Sequence, residues 1–470
     1  MDDCDYQNPE DCKLDMRFDF NNGEIVLTYN EVGFSPYNVF AITGIAEAAK
    51  NISASKNEIG EKGIGFKSVF GVADHVQIQS GWFSFALYKE NFTIPVAEYQ
   101  DDSYCPGTKM TLYVGEKAKT IYRQIKDQYC RKEALFSKNP LLFLNKLTSL
   151  RLYYDTWRSM EFHVSRSAAH DTKEIRREDH VSISVNLRDY ENGSDRETVE
   201  TISCARYTYP VLYGKAACQS RYGANTKLGS NGGKQMLLQA VVPYPEDVSK
   251  VGNGGLYSFL PTQLSFTVPI VCHAPFKLVA SREFVDPQEV NGNGGNLWFQ
   301  ETAKHLSELL NHVYMDWRAL AKQTIVSYLP PENGSLFAHN NGKEKCLSSY
   351  EAFKGSSYLK LPLFCSVSGE YKAAQDIFYF DPAENVPEPE RAYRLLAPRK
   401  ALFLVPADIS VGSFGITVER KVTDRLFQKA LLSRSATEEI LEYLDSVVYE
   451  YSERQLPTNE DMSFHESQIL

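Results

Sequence analysis

The stretch Asn57–Val76, NEIGEKGIGFKSVFGVADHV, sets Gly60, Gly63 and Gly65 within six positions and follows them with Lys67 and Ser68. Glycine lets backbone N–H groups come close to a ligand and permits unusual φ. The continuation FKSVFGVA reads as a short amphipathic helix, whose N-terminus would present unpaired N–H groups and a positive dipole end. Both features suit an anion. A P-loop would need glycine immediately before the lysine, but Phe66 stands between Gly65 and Lys67. The dinucleotide order G-x-G-x-x-G fails as well, since the order here is G-x-x-G-x-G. A turn that merely packs a helix close to a sheet would use the same glycines.

The bulk composition sets the frame. With 470 residues the chain can build two to four domains with real cores. The content of 43% hydrophobic and 23% charged residues, with 28 Tyr and 26 Phe, is that of a globular protein rather than a disordered one. A net charge of -10 argues against a nucleic-acid backbone binder, which needs a basic face. Nine cysteines are scattered without a C-x-x-C pair, so neither a zinc site nor a disulfide framework can be read. The opening MDDCDYQNPEDCK has no apolar signal core, and no apolar run is long enough for a bilayer. The expected location is the cytoplasm or nucleus.

Along the chain, Lys13–Thr28 reads as a hairpin around Asn-Asn-Gly. Ser35–Lys50 has a helical pattern, with Val39, Ile42, Ile45 and Ala46 on one face. HVQIQS, WFSFALY and TKMTLYV alternate as strands, a polar helix is expected over Lys117–Leu135, and NPLLFLNKL places Pro140 near a helix start. MEFHVSR, HVSISVNL, TISCARYTY and QMLLQAVVPY form a strand-rich region. A long helix follows from about Leu297 to Tyr328, with Leu306, Leu309, Leu310, Val313, Trp317 and Leu320 as the stripe that packs on a sheet. Strands such as DIFYFD and ALFLVPA, a Pro/Glu-rich connector at Glu384–Pro398 and a terminal helix near Thr437–Glu450 complete the pattern.

The wider stretch IGEKGIGFKSVFGVADHVQIQS resembles the lid and phosphate-binding segment of the heat-shock-ninety chaperones, members of the GHKL superfamily with its Bergerat ATP-binding fold. The matching residues are Ile59, Gly60, Gly63, Gly65, Phe66, Ser68, Val72, Ala73, Asp74, Val76 and Ser80. Ser53–Lys56 resembles the family's Ser-Gly-Thr-Lys, and PGTKMTLYV resembles the Gly-Thr strand that closes the nucleotide site. A closer resemblance, through VLTYNEVGFSPYNVFAITGIAEAAKN, is to the large plant and fungal proteins grouped as sacsin-like or NO VEIN-like. Those write N-E-x-G-F where the chaperones write D-x-G-x-G.

The resemblance implies an α+β fold with three parts. Residues 1–150 would be a two-layer ATP-binding sandwich lacking its first helix, residues 151–330 a strand-rich α/β middle domain, and residues 331–470 an α/β region of no assigned role. It implies ATP or ADP as ligand. Asn30 or Glu31 would read the adenine amino group, the sequence leaving both open, with Gly33 against the base and Thr108 as a further contact. Lys56, Gly60, Gly63, Ile64, Gly65 and Phe66 would hold the phosphates. GLYSFLPTQLSFTVPIVCHAPFKLVASREFV carries the likeness onward, and Arg282 in its Ser-Arg-Glu would stabilise charge on the γ-phosphate across a domain boundary. The family's catalytic Glu and Mg2+-binding Asn form a Glu-x-x-x-Asn that would precede Met1, with Asp2 and Asp3 as its remnant. The expectation is therefore an ATP-binding, chaperone-like module that is a poor ATPase as given. The alternative is a non-catalytic scaffold that keeps the fold and meets client or partner proteins. A DNA-repair-like ATPase of the same superfamily is disfavoured by the net charge.

Overall fold

The expected hairpin forms as β1 (Lys13–Asp19) and β2 (Glu24–Tyr29). Its alternation sends Leu14, Phe18, Ile25, Leu27 and Tyr29 to the interior, as a period of two with one buried face requires. Asp19 closes the turn by accepting from the N–H groups of Asn21 and Asn22 at 3.1 and 3.2 Å. The structure is a computed structural model that describes residues 5–6, 8, 11–44, 66–97, 104–129, 134–155, 158–166, 175–191, 194–223, 232–279, 281–289, 296–338, 347, 350–396, 398–404, 412–432 and 437–454.

Next come β3 (His75–Gly81), β4 (Phe83–Tyr88), β5 (Val96–Ala97) and β6 (Cys105–Tyr113). Beyond them lie β7 (Ser149–Tyr153), β8 (Ser159–Ser165), β9 (Arg176–Glu191), β10 (Ser194–Tyr213) and β11 (Lys234–Pro243). β12 (Gly255–Ser258), β13 (Leu260–Ser265) and β14 (Val271–His273) complete the series. All belong to one 14-stranded sheet, ordered β13-β12-β14-β11-β10-β9-β8-β7-β1-β2-β6-β3-β4-β5. Its two halves meet where β1 runs parallel to β7, from Lys13 opposite Ser149 to Arg17 opposite Tyr153. Asp15 and Arg151 face each other across that seam in a two-point ion pair of 2.6 and 2.7 Å, the geometry in which the guanidinium fork is strongest. Residue 150 thus lies within β7, inside the continuous sheet.

Helices cover this sheet because their stripes are apolar. The α1 helix (Pro36–Thr43) starts at a Ser35–Asn38 capping box. The α2 helix (Lys117–Tyr129) lays Tyr122 on Phe18, Phe20 and Tyr154, with ring centres 6.1, 5.5 and 4.2 Å apart. A short α3 (Lys215–Tyr222) precedes β11. The long α4 (Leu297–Ala321) buries Leu306, Leu309, Leu310, Val313 and Trp317 as expected, and its Trp298 stacks on Tyr213 at 4.0 Å. Leu320 departs from the expected stripe at 44% exposure; Ala321, at 3%, takes the inward place.

Two expected helix starts are corrected. FKSVFGVA begins as a 3-10 helix, Phe66–Gly71, rather than an α-helix. Pro140 starts no helix: residues 138–147 run through turns, with the Asn139 side chain accepting from the Leu141 N–H at 2.9 Å. Leu141, Leu142, Phe143 and Leu144 are all buried, whereas a surface helix would turn part of such a run to solvent.

The strands above fall in one compact unit, Met1–Tyr314 with Ser327–Pro330 and Gly334–Lys354; the other comprises Met315–Val326, Pro331–Asn333 and Gly355–Leu470. In the second unit β15 (Phe364–Cys365) pairs with β16 (Tyr371–Lys372), and β17 (Ile377–Phe380) runs parallel to β18 (Ala401–Leu402) and β19 (Thr417–Glu419). The expected connector Glu384–Pro398 contains a helix, α5 (Pro389–Leu396). It shares a core with α6 (Val422–Leu432) and α7 (Thr437–Arg454) through Ala392, Leu395, Val422, Leu426, Ala430, Ile440, Tyr443 and Leu444. The fold is α+β, a large mixed sheet with helices. Among the described residues no helix is long and apolar enough to cross a membrane, and Cys12, Cys105, Cys204, Cys218, Cys272 and Cys365 are free thiols.

His273 on β14 is wholly buried, and its Nδ1 accepts from the Phe259 N–H at 3.0 Å between the rings of Phe259 and Phe143. Burial pushes its pKa down from 6.5 to about 4. Between those values the unfolded chain binds a proton that the folded chain refuses. The stabilising contribution is therefore complete above pH 6.5 and is lost as the pH falls towards 4, by about 3 kcal/mol in all. In urea unfolding, His273→Gln should flatten the loss of stability between pH 7 and pH 4.5. An identical slope in both proteins would remove His273 as its source.

Candidate functional site

The site grows from the end of β2. Tyr29 is the last residue of that strand, and Asn30 and Glu31 follow it with opposite orientations. Asn30 turns back to β1: its Oδ1 accepts from the Lys13 N–H at 2.9 Å, and its Nδ2 donates to the Asp11 carbonyl. Both ends of that amide are committed to backbone. Glu31 turns inward and is 2% exposed.

A carboxylate this buried needs donors to offset its lost hydration. Its Oε2 accepts from the Gly33 N–H at 2.6 Å, and its Oε1 accepts from the Thr108 hydroxyl. Thr108 stands on β6, which lies between β2 and β3, opposite Tyr29 on one side and Ser80 on the other. The Ser80 and Thr108 hydroxyl oxygens are 2.5 Å apart, and Ser80 accepts from the Phe34 N–H at 2.7 Å. Three segments far apart in sequence thus converge on one charge. A carboxylate offers about four lone-pair positions, and these two bonds leave acceptor capacity on Glu31 for a ligand donor.

Two glycines make the convergence possible. Gly107 has φ +91, and a Cβ there would sit 2.4 Å from the Tyr29 carbonyl oxygen, so only glycine lets β6 pass this close to β2. Gly33 has φ +87, and its Cβ would meet the Gly81 nitrogen at 3.3 Å. The charge of Glu31 also reaches Cys105: burial pushes that thiol up, Lys109 opposes it, and Glu31 adds a smaller upward effect. Cys105 is accordingly a neutral thiol at pH 7 and no nucleophile.

Of the expected site residues, Glu31, Gly33 and Thr108 come together. Asn30 lies beside them but is spent on β1. Phe66 opens the 3-10 turn, half-buried, with its ring against Phe70 at 6.1 Å. Lys56, Gly60, Gly63, Ile64 and Gly65 lie outside the described residues. Lys67 is half-buried, with its ammonium on the Gly44 carbonyl and 5.5 Å above the Phe92 ring. Arg282 is not brought to Glu31. Its loop packs on β13 through the bond from the Gln263 N–H to the Glu283 carbonyl (2.9 Å), and nine strands separate β13 from β6 in the sheet. Arg282 is exposed at φ 61; Glu283 accepts from Ser281 at 3.1 Å instead. Ser80 had no assigned role in the sequence. Its signal was a polar residue in register with Val76 and Ile78 on the inward face of β3, all three 0% exposed.

No protein-family model matches the chain. Over 81 residues it is 40% identical to Protein NO VEIN of Arabidopsis thaliana. That stretch is 17% of this chain and 3% of that protein, so the chain spans only a small part of its relative's length.

Two substitutions test the scaffold. Asn30→Ala deletes two bonds to backbone and should lower stability by about 1–2 kcal/mol. Gly107→Ala forces both an unfavourable φ and a backbone clash, and should cost about 2–4 kcal/mol or leave β2 and β6 unpaired. Amide exchange on β2 and β6 measures both; protection equal to that of the parent in Gly107→Ala would contradict the close approach.

Proposed function

We propose that this chain binds an adenine nucleotide in the manner of the heat-shock-ninety-like GHKL ATPases, on a Bergerat-type sandwich, as a module of a sacsin/NO VEIN-like protein. The observation that carries this reading is the buried Glu31 carboxylate, held by Gly33 and Thr108. These are the positions that the family resemblance assigns to the base. The partial identity to Protein NO VEIN supports the same reading. Glu31 accepts the adenine amino group, and Asn30 does not, because its amide is already satisfied by Asp11 and Lys13. Gly33 leaves room for the base, and Thr108 fixes the carboxylate.

The phosphates belong to Gly60, Gly63, Ile64, Gly65 and Phe66, with Lys56 as a cation. When bound, ATP supplies the phosphoanhydride whose cleavage the family couples to conformational change. Among the described residues no group of three or more His, Cys, Asp or Glu side chains could hold a metal ion. In the arrangement the resemblance implies, Arg282 serves as a charge stabiliser only when the second domain docks on the first, a gated arrangement. A second reading, a scaffold that binds partners without turnover, has its own support in the outer face of α1, where Tyr37 and Phe40 are 55% and 60% exposed.

Calorimetric titration with ADP tests the first reading. Glu31→Gln should weaken binding about tenfold, by loss of the charge-assisted bond, while Gly63→Val and Gly65→Val should abolish it with the fold retained. Parent-like affinity in all three would sink the assignment. Steady-state phosphate release separates enzyme from scaffold. In a chain that hydrolyses ATP, Arg282→Ala should lower kcat and leave nucleotide affinity nearly unchanged; the opposite pattern would make it a ground-state contact.

A further inference from the structure

We propose that the α6–α7 pair docks a basic amphipathic helix of a partner protein, on an apolar strip edged with carboxylates. The proposal is independent of the nucleotide reading above.

Both helices turn the same pattern outward. On α6, Asp424, Phe427 and Leu431 stand at i, i+3 and i+7, and on α7, Glu438, Leu441 and Asp445 repeat that spacing. Residues so spaced share one side of a helix. All six are exposed, with Phe427 at 52%, Leu431 at 73% and Leu441 at 47%. The core takes the other sides, through Val422, Leu426 and Ala430 of α6 and Ile440, Tyr443 and Leu444 of α7.

The third helix leaves the strip open. Lys429 of α6 donates to the Leu395 and Leu396 carbonyls at the end of α5. Tyr443 of α7 donates to the Pro387 carbonyl, just before α5, at 2.7 Å, and Arg391 of α5 lies over the Tyr443 ring. Lys429 and Tyr443 each follow a strip residue, Phe427 and Leu441, by two positions, which is about 200° around a helix. The α5 helix therefore lies against the sides of α6 and α7 that face away from the strip.

The chemistry of the strip selects its occupant. Apolar side chains aligned on a helix pair match the apolar face of another helix, which anchors at i, i+3, i+4 and i+7. The edges are acidic, with Asp424 on one helix and Glu438 and Asp445 on the other, and cationic flanks on the partner complement them. The same sign turns away anionic membranes and nucleic acid. A second copy of this face would set Asp424, Glu438 and Asp445 against their own kind. Residues 455–470 of this chain carry Glu460, Asp461 and Glu466 without Lys or Arg, so they have the wrong sign as well.

The test is fluorescence anisotropy of the full chain with three labelled synthetic peptides, each of about 15 residues so that a helix can form. One is a Leu/Lys helix with Leu at i, i+3, i+4 and i+7, one is a scramble of it without an apolar face, and one is a twin with Glu in place of every Lys. The parent should bind the Leu/Lys helix at least about tenfold more tightly than either control. Phe427→Ser and Leu431→Ser should each weaken that binding about tenfold. Glu438→Lys combined with Asp445→Lys should weaken it and strengthen binding of the Glu twin. These four side chains point out of the core, so the variants keep the fold. Failure of the parent to bind the Leu/Lys helix, or equal binding of the helix and its scramble, overturns the proposal. So does parent-like affinity in both serine variants. A dimer of the chain in sedimentation that Leu431→Ser dissolves gives the face to a second copy. Phosphatidylserine vesicles that bind the parent but not Leu431→Ser give it to a membrane, and either result overturns the proposal too.

Discussion

Five residue pairs between β1 and β7 hold the large sheet together. On one side of this parallel seam lie the strands that carry the candidate site; on the other lie the strands that pack against α4. Arg151 grips Asp15 across the seam itself, and on the other edge of β1 Asn30 ties the start of that strand to the end of β2 through Lys13 and Asp11. Parallel pairs are slightly weaker per residue than antiparallel ones, so a short parallel seam gains from such fixation. The residue that ties β2 back to β1 is the immediate neighbour of the residue that builds the site.

That adjacency explains the division of labour at the end of β2. Consecutive side chains on an extended backbone point to opposite sides. One polar residue there can satisfy backbone while the next carries a charge into the interior. Glu31 is kept in the interior by donors from β6 and from the backbone just after it. The close approach of Gly107 to Tyr29 lets Thr108 reach it. Backbone permissiveness, strand order and charge burial are here parts of one arrangement.

Much of this was legible in the sequence because alternation is a strong signal. The hairpin at Lys13–Thr28, the strands through Met160, Ile183 and Leu238, and the stripe of α4 follow from period alone. Fold class as α+β was equally readable. Failures came where composition misled or a pattern had two uses. Pro140 suggests a helix start, yet four successive buried apolar residues favour turns that bury every side. The Pro/Glu-rich run at 384–398 reads as a connector, but Ala392 and Leu395 at helical spacing are enough to anchor α5. Asn30 and Glu31 could not be separated, because the register that decides which points inward depends on β6, far along the chain. Ser80 went unassigned for the same reason: its hydroxyl acquires a role only opposite Thr108.

The seam also carries a cost in time. Asp15 and Arg151 are 136 residues apart in sequence. At synthesis rates of roughly 5–20 residues per second, the outer edge of β1 waits roughly 7–27 s for β7 to be made. During that interval the hairpin is complete and its free edge can pair with any extended strand, including one from another nascent copy. The charged side chains of Lys13, Asp15 and Arg17 on β1 stand where such pairing would have to begin. The residues that later complete the seam thus serve first as its guard on the ribosome.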